Sequence, residues 1–285
     1  MIKYAIKRNV IRKNLKHTAF GTMENSIESD IDFSMREVIC DLCKQFYGLG
    51  WVSGTGGGLS IKTVDDHIFV APSGVQKERI QPNEIFVFKK SSSAGDDGGE
   101  MIMIKSPDPK LGLKPSDCMP VFMSFYRLRG AGAVIHSHGL YVNLVTLIDS
   151  SPMSSSSSLK SGSPSANSTT SSMKSTYVNS TSLEFQISCQ EMIKGIMKGS
   201  SGTYHKYDDV LTVPIVENTP HDRDLAGHIE KTLVEYPDTN AVLVHGHGVY
   251  VWGPTWIKAK GMAECYHYLF ELAIKMKQLG IKPVE

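Results

Sequence analysis

Several features that would point to a simple role are missing from this chain. No run of about 18 apolar residues occurs, so no transmembrane helix is expected. Excess charge is missing too: 30 Lys and Arg against 29 Asp and Glu leave a net charge of +1. That balance makes no electrostatic case for a nucleic-acid or membrane partner. Cysteine is scarce. Cys40, Cys43, Cys118, Cys189 and Cys265 are the five, and they form no zinc-ribbon spacing. Cys40 and Cys43 are three apart in an apolar helical pattern, which reads as buried thiols in a reducing compartment.

Acid is absent from the start of the chain. Lys3, Lys7, Arg8, Arg12, Lys13 and Lys16 precede the first carboxylate, Glu24. Ile2, Ile6, Val10 and Ile11 recur among them at near-helical spacing. We expect residues 1–30 to be a basic, disordered extension of a cytoplasmic protein. A mitochondrial transit segment is the alternative. Residues 150–182 lack charge except for Lys160 and Lys174, and about half of them are serine. Such a stretch cannot bury enough apolar surface to order itself, so it reads as a disordered surface insertion.

What remains, 31–285, is long enough for one sizeable core or two small ones. Ser34-x-x-Glu37 is a capping-box pattern that predicts a helix start. Met35, Val38, Ile39, Leu42, Cys43 and Phe46 follow at helical spacing, and Gly48 and Gly50 stop it. Short apolar runs at 59–61, 67–70, 85–88 and 101–104 read as strands, with a polar loop at 91–99. A helix from Ser116 to Arg127, ended by Gly130, leads to the run 131–135. Further on, strands are expected at 183–188, 210–216, 241–247 and 249–252. Helices are expected at 140–147, 190–197, 222–236 and 254–279. Helices alternate with hairpin-like neighbouring strands, which predicts an α/β single domain with a mixed sheet sandwiched between helical layers.

Chemistry concentrates at the ends of two apolar runs. Ala131-Gly132-Ala133-Val134-Ile135 ends in His136-Ser137-His138, and Ala241-Val242-Leu243-Val244 ends in His245-Gly246-His247. Residues two apart in a strand face the same side, so His136 and His138 can aim at one point. A third histidine, His245 or His247 by spacing alone, would complete the three-ligand set of a catalytic divalent metal, usually zinc. Two glycine-rich loops, Ser53-Gly54-Thr55-Gly56-Gly57-Gly58-Leu59-Ser60 and Ala71-Pro72-Ser73-Gly74-Val75-Gln76-Lys77, offer backbone N–H and hydroxyl donors for a phosphate. Neither matches the P-loop pattern. Gln190-Glu191 puts a carboxylate at a strand-to-helix junction, a candidate acid/base if the fold brings it to the metal.

Together these residues resemble the class II aldolase/adducin family. The likeness runs from about residue 41 to residue 282, interrupted by the serine-rich insert. It is densest at 42–47, 54–58, 71–82, 129–136, 190–195, 217–220 and 248–253. The resemblance implies a nine-stranded mixed sheet between helical layers and a homotetramer. It implies one Zn2+ per subunit held by His136, His138 and His247, because the family's third ligand directly precedes Gly-Val-Tyr-Val-Trp-Gly. It further implies Glu191 as general acid/base and Cys118 against the substrate. Thr55, Gly56, Ser73 and Gly74 are the candidates for the phosphate cradle.

Within the family the likeness is to members that remove water from a methylthio-bearing ketopentose 1-phosphate in methionine salvage. The implied partner is therefore a small phosphorylated sugar. Aldolase members carry a Glu, and epimerases an Asp, where Lys114-Pro115-Ser116-Asp117-Cys118 places Cys118. A thiol cannot replace that carboxylate with the same pKa. Asp117, one residue earlier, would point about 100° away at a helix start. Sugar-phosphate cleavage or epimerisation is the first alternative, and an adducin-like interaction module without metal is the second. Two departures stand out. Relatives carry His where this chain has Cys189, and basic residues where it has His245 and Gly246.

Overall fold

The computed structural model of the chain describes residues 20–90, 101–147 and 183–284, with side chains from Asp32 onward. The polar loop at 91–99, the serine-rich insertion at 150–182 and the basic start before residue 20 lie outside the described residues. Five α-helices are described: α1 Phe20–Gly48, α2 Met119–Arg129, α3 Leu140–Leu147, α4 Ala226–Glu235 and α5 Trp256–Gln278. The strands are β1 Gly58–Lys62, β2 His67–Val70, β3 Pro72–Ser73, β4 Phe86–Lys90, β5 Met101–Lys105, β6 Lys114–Pro115, β7 Ala133–Ser137, β8 Glu184–Ile187, β9 Leu211–Val216, β10 Ala241–Val244 and β11 Gly248–Gly253.

Nine strands form one sheet in the order β5-β4-β2-β1-β7-β11-β10-β9-β8, and β3 pairs with β6 apart from it. Neighbours in the sheet are antiparallel except β9 and β10, which run parallel with α4 as their crossover. The sheet is mixed, as expected. Along β7, Ala133 and Ile135 join the core built with α1 and α5, while Val134 packs into the core built with α2 and α4. The period of two thus divides one strand between two helical layers, and it sends His136 to the α2/α4 side.

Three local expectations are corrected. Helix α1 begins at Phe20, so the Ser34–Glu37 pattern lies inside it and ordered structure starts ahead of residue 31. No proline or glycine interrupts residues 22–33, so nothing halts the helix upstream of that capping signal. Helix α2 is N-capped by Cys118 rather than Ser116, whose Oγ accepts the Cys118 N–H at 3.2 Å. The segment expected to be a helix at 190–197 is a short 3₁₀ turn, Glu191–Gly195. A stretch that short propagates poorly as an α-helix, and burial of Ile193 and Ile196 in the core shared with α5 sets its shape instead. Long helices end as the sequence suggests, with Gly130 capping α2 and Gly280 following α5, both left-handed.

Candidate metal centre

The centre of the sheet delivers three imidazoles to one point. His136 is the penultimate residue of β7, and His138 follows two residues on. Strand β11 pairs with β7 so that Tyr250 stands opposite His136. The tight turn from β10 into β11, with Gly246 at φ 61, carries His247 to the same end of the sheet. His136 Nε2 and His138 Nε2 lie 2.8 Å apart, and His247 Nε2 lies 3.0 Å from His138 Nε2. His245 is outside this group, so the alternative left open by spacing falls to His247.

The opposite ring nitrogens explain why these atoms converge. His136 Nδ1 is 3.1 Å from the Val249 carbonyl, and His247 Nδ1 is 3.1 Å from Asn218 Oδ1. The Nδ1–H of His136 and of His247 donates outward, which leaves an inward lone pair on each of these two Nε2 atoms. Burial pushes His136 well below the ordinary imidazole range and His138 down to about 4; His138 and His247 add to the first shift and His247 to the second. The donors are therefore neutral at pH 7. Inward lone pairs so close repel one another unless a cation sits between them. The donor set therefore fits a divalent metal of the zinc type.

The same register brings the glycine-rich loops to the site. Gly58, the first residue of β1, pairs with His136, so the loop before it runs past His138. A Cβ on Gly56 would lie 2.4 Å from His138 Nδ1, and one on Gly57 would lie 2.8 Å from the His136 carbonyl. The second loop reaches the site through β3 and β6, and Ser73 Oγ donates to Asp117 Oδ2 at 3.1 Å. Lys77, the last residue of the second loop and given no role of its own by the sequence, ties the loops together. Its ammonium donates to the Thr55 carbonyl at 3.0 Å and the Val75 carbonyl at 3.4 Å, although the residue is only 1% exposed. Burial lowers its pKa. The signal was a lysine three residues beyond a glycine-rich turn, a common pattern in one dimension.

Cys118 and Asp117 diverge at the start of α2, as expected. Asp117 meets Ser73, whereas the buried Cys118 thiol donates to Asp222 Oδ2 at 3.4 Å. Burial, then the Asp222 charge, pushes the thiol up to about 12, so it is a neutral donor. Tyr250 stacks on His136 at 4.0 Å and 5°. Asp222, a second residue that sequence reasoning missed, also lies 3.9 Å from His247 Nε2.

Glu191 is not among these neighbours. Its carboxylate is 73% exposed and pairs with Lys194 at 2.7 Å. The turn carrying it follows β8, at the sheet edge, and packs on α5. Three strands, β11, β10 and β9, lie between β7 and β8, the strand it follows. Cys189, just before it, takes a left-handed φ of 55, unusual for a non-glycine residue.

Methylthioribulose-1-phosphate dehydratase of Aquarana catesbeiana is 49% identical over 248 residues, which is 87% of this chain and 87% of that protein. The Homo sapiens protein of the same name is 47% identical over 87% of this chain and 86% of its own. Two solved structures share the fold. YgbL from Escherichia coli has a TM-score of 0.56 at 19% identity, covering 90% of this chain and 94% of its own. L-fuculose-1-phosphate aldolase from Thermus thermophilus has a TM-score of 0.55 at 15% identity, covering 88% of this chain and 96% of its own. Residues 37–274 match the family described as Class II Aldolase and Adducin N-terminal domain, and the chain belongs to that family.

Proposed function

We propose that the chain is a zinc-dependent methylthioribulose-1-phosphate dehydratase. It converts 5-methylthioribulose 1-phosphate to 2,3-diketo-5-methylthiopentyl 1-phosphate and water, a step of methionine salvage. The observation that carries this is the donor set. Three imidazole Nε2 atoms converge beside a neutral thiol, Cys118, where an aldolase of the family would hold a carboxylate. The names and coverage of the curated relatives support the same reading.

His136, His138 and His247 would hold one zinc per subunit. Bound there, zinc supplies Lewis acidity that stabilises negative charge at the carbonyl oxygen as a proton leaves the neighbouring carbon. The C–H bond beside the carbonyl breaks, the next hydroxyl leaves as water, and the resulting enol becomes the diketone. Atoms balance and nothing is oxidised by a second reagent. Thr55, Gly56, Ser73 and Gly74 cradle the phosphate with N–H and hydroxyl donors. Gly56 against His138 supports this placement, because the phosphate is borne on the carbon beside the carbonyl. Cys118 shapes the pocket as an uncharged wall.

Glu191 moves the proton, either from carbon or onto the leaving hydroxyl. Its exposure and its position at the sheet edge favour delivery from a neighbouring copy within a homotetramer. The free thiols suit a reducing, cytoplasmic setting.

The test is to incubate the purified, zinc-loaded protein with methylthioribulose 1-phosphate and identify the product. A diketone is expected. An aldehyde plus a ketone phosphate, or an epimer, would replace dehydration with one of the family's other reactions.

A further inference from the structure

Helix α5 buries an imidazole that the proposed chemistry leaves unused, that of His267. Its ring stacks on the Trp51 indole, with centroids 3.7 Å and planes 11° apart. Phe46 packs on Trp51 in turn, at 5.2 Å and 27°. An edge of the imidazole lies against the chain just past His138. A Cβ on Gly139 would stand 2.7 Å from His267 Cε1 and 3.1 Å from its Nδ1. Among the described residues the Nε2 of His267 has no hydrogen-bond partner. An unpaired interior nitrogen costs free energy, so hydrogen bonding there does not explain the burial. What the ring supplies is shape.

Both groups it touches bear on His138. The Trp51 carbonyl accepts the His138 N–H at 2.8 Å and the Ser137 hydroxyl at 3.4 Å. Ser137 Oγ in turn accepts the Gly139 N–H at 3.1 Å. The Gly139 carbonyl accepts the Asn143 N–H as α3 begins. Trp51 also leads through Val52 into the first glycine-rich loop, where a Cβ on Gly57 would lie 2.6 Å from the Val52 side chain. One flat ring therefore backs both the end of β7 and the root of that loop.

We infer that His267 is a positioning residue for the site. Its ring, wedged between Trp51 and Gly139, fixes the backbone that carries His138 and sets its spacing from the first glycine-rich loop. This rests on the metal reading above. The role is steric: another flat ring can fill it, and a methyl group cannot. Stacking holds the two planes together, and close packing passes any change in the wedge to the neighbouring backbone.

The test uses full-length wild type, His138→Ala, His267→Ala, His267→Phe, and Gly139→Ala alone and combined with His267→Ala. Each is stripped with a chelator and reloaded. Zinc affinity is read by competition with a chromophoric chelator, and the coordination sphere by the visible spectrum of the cobalt(II)-loaded protein. Thermal unfolding of the metal-free proteins tells lost zinc from lost fold. His267→Ala should weaken zinc binding about tenfold and alter the cobalt bands, whereas His267→Phe should keep both near wild type. The methyl of Gly139→Ala collides with the imidazole in the single variant and fills the space it leaves in the double one. The double variant should therefore bind zinc more tightly than either single one. If His267→Ala does not fold, its comparison with Gly139→Ala carries the test. With zinc still lost in His138→Ala, any of three results would overturn this inference alone. These are wild-type affinity and bands in folded His267→Ala, a His267→Phe no better than His267→Ala, or effects that simply add in the double variant. Wild type that takes up no zinc would overturn the metal reading and this inference with it.

Discussion

The Nδ1 atom of His247 lies 3.1 Å from the side-chain oxygen of Asn218, a residue 29 positions earlier in the chain. Asn218 follows β9, and His247 follows β10, the strand parallel to it. The contact therefore locks the orientation of one donor to the only parallel pair in the described sheet. Asn218→Ala should weaken zinc binding about 10- to 100-fold while leaving the fold intact. Asn218→Asp should keep most of the affinity, since a carboxylate also accepts the Nδ1 hydrogen. Competition against a chelator measures both, and equal affinities for Asn218→Ala and wild type would remove the role.

Gly56 has the tightest relation to a donor ring. An added methyl would lie 2.4 Å from His138 Nδ1, so Gly56→Ala must push either the ring or the loop aside. Bound zinc should fall well below one per chain. Gly54→Ala is the control. It meets nothing within 4 Å but sits at φ +66, so it should cost about 1–2 kcal/mol of stability and keep its zinc. Metal analysis of the two variants separates contact with His138 from backbone strain.

Lys77→Met keeps the buried stem of the side chain and removes the ammonium. The Thr55 and Val75 carbonyls then lose their shared donor. Stability should drop by about 1–3 kcal/mol. With the two loops no longer tied, KM for a phosphorylated substrate should rise several-fold more than kcat falls. A lowered kcat at unchanged KM would place Lys77 with the reacting carbons, apart from the phosphate.

Burial pushes His267 down to about 3 from its ordinary 6.5. Among the described residues its Nε2 has no hydrogen-bond partner, and its ring stacks on Trp51 at 3.7 Å. The unfolded chain takes up this proton near pH 6.5, whereas the folded chain refuses it until about pH 3. Stability therefore falls as pH drops through that window, by roughly 1.4 kcal/mol per unit. His267→Phe keeps the stack and removes the proton site. In metal-free protein, urea melts at pH 6.5 and 5 should show wild type losing roughly 2 kcal/mol more than the variant. Parallel losses would contradict this.

Glu191→Gln should abolish most turnover and keep its zinc, while His138→Ala should lose zinc. If Glu191 serves a neighbouring copy, mixing the two inactive variants under conditions that exchange subunits restores part of the activity. Assays before and after mixing read this directly. A mixture that stays inactive while exchange is demonstrated would return Glu191 to its own chain's site or remove it from the reaction.

Much of the fold is legible in the chain itself. Apolar runs of period two and spacings of period 3.6 mark most strands and helices, because burial on one face requires those patterns. The misplaced ends share a cause. Ser34-x-x-Glu37 and Ser116 are local capping signals, and capping contributes only about 1 kcal/mol. A helix that can continue upstream, or start at Cys118, overrides it. The segment at 190–197 became a 3₁₀ turn because packing on α5, not local propensity, decides a segment so short.

The sequence by itself determined that His136 and His138 would act together, since strand geometry aligns residues two apart whatever surrounds them. It also determined that glycine-rich loops would border strands. Tertiary structure decided the rest. It chose His247 over His245 through the turn into β11 and the hold of Asn218, and brought Lys77 under both loops. It set Asp222 beside Cys118 across 104 residues of chain, and left Glu191 at the sheet edge. Local spacing carries information over a turn or two of chain. Which distant residues meet depends on strand order and register, and these are settled only when both helical layers close on the sheet.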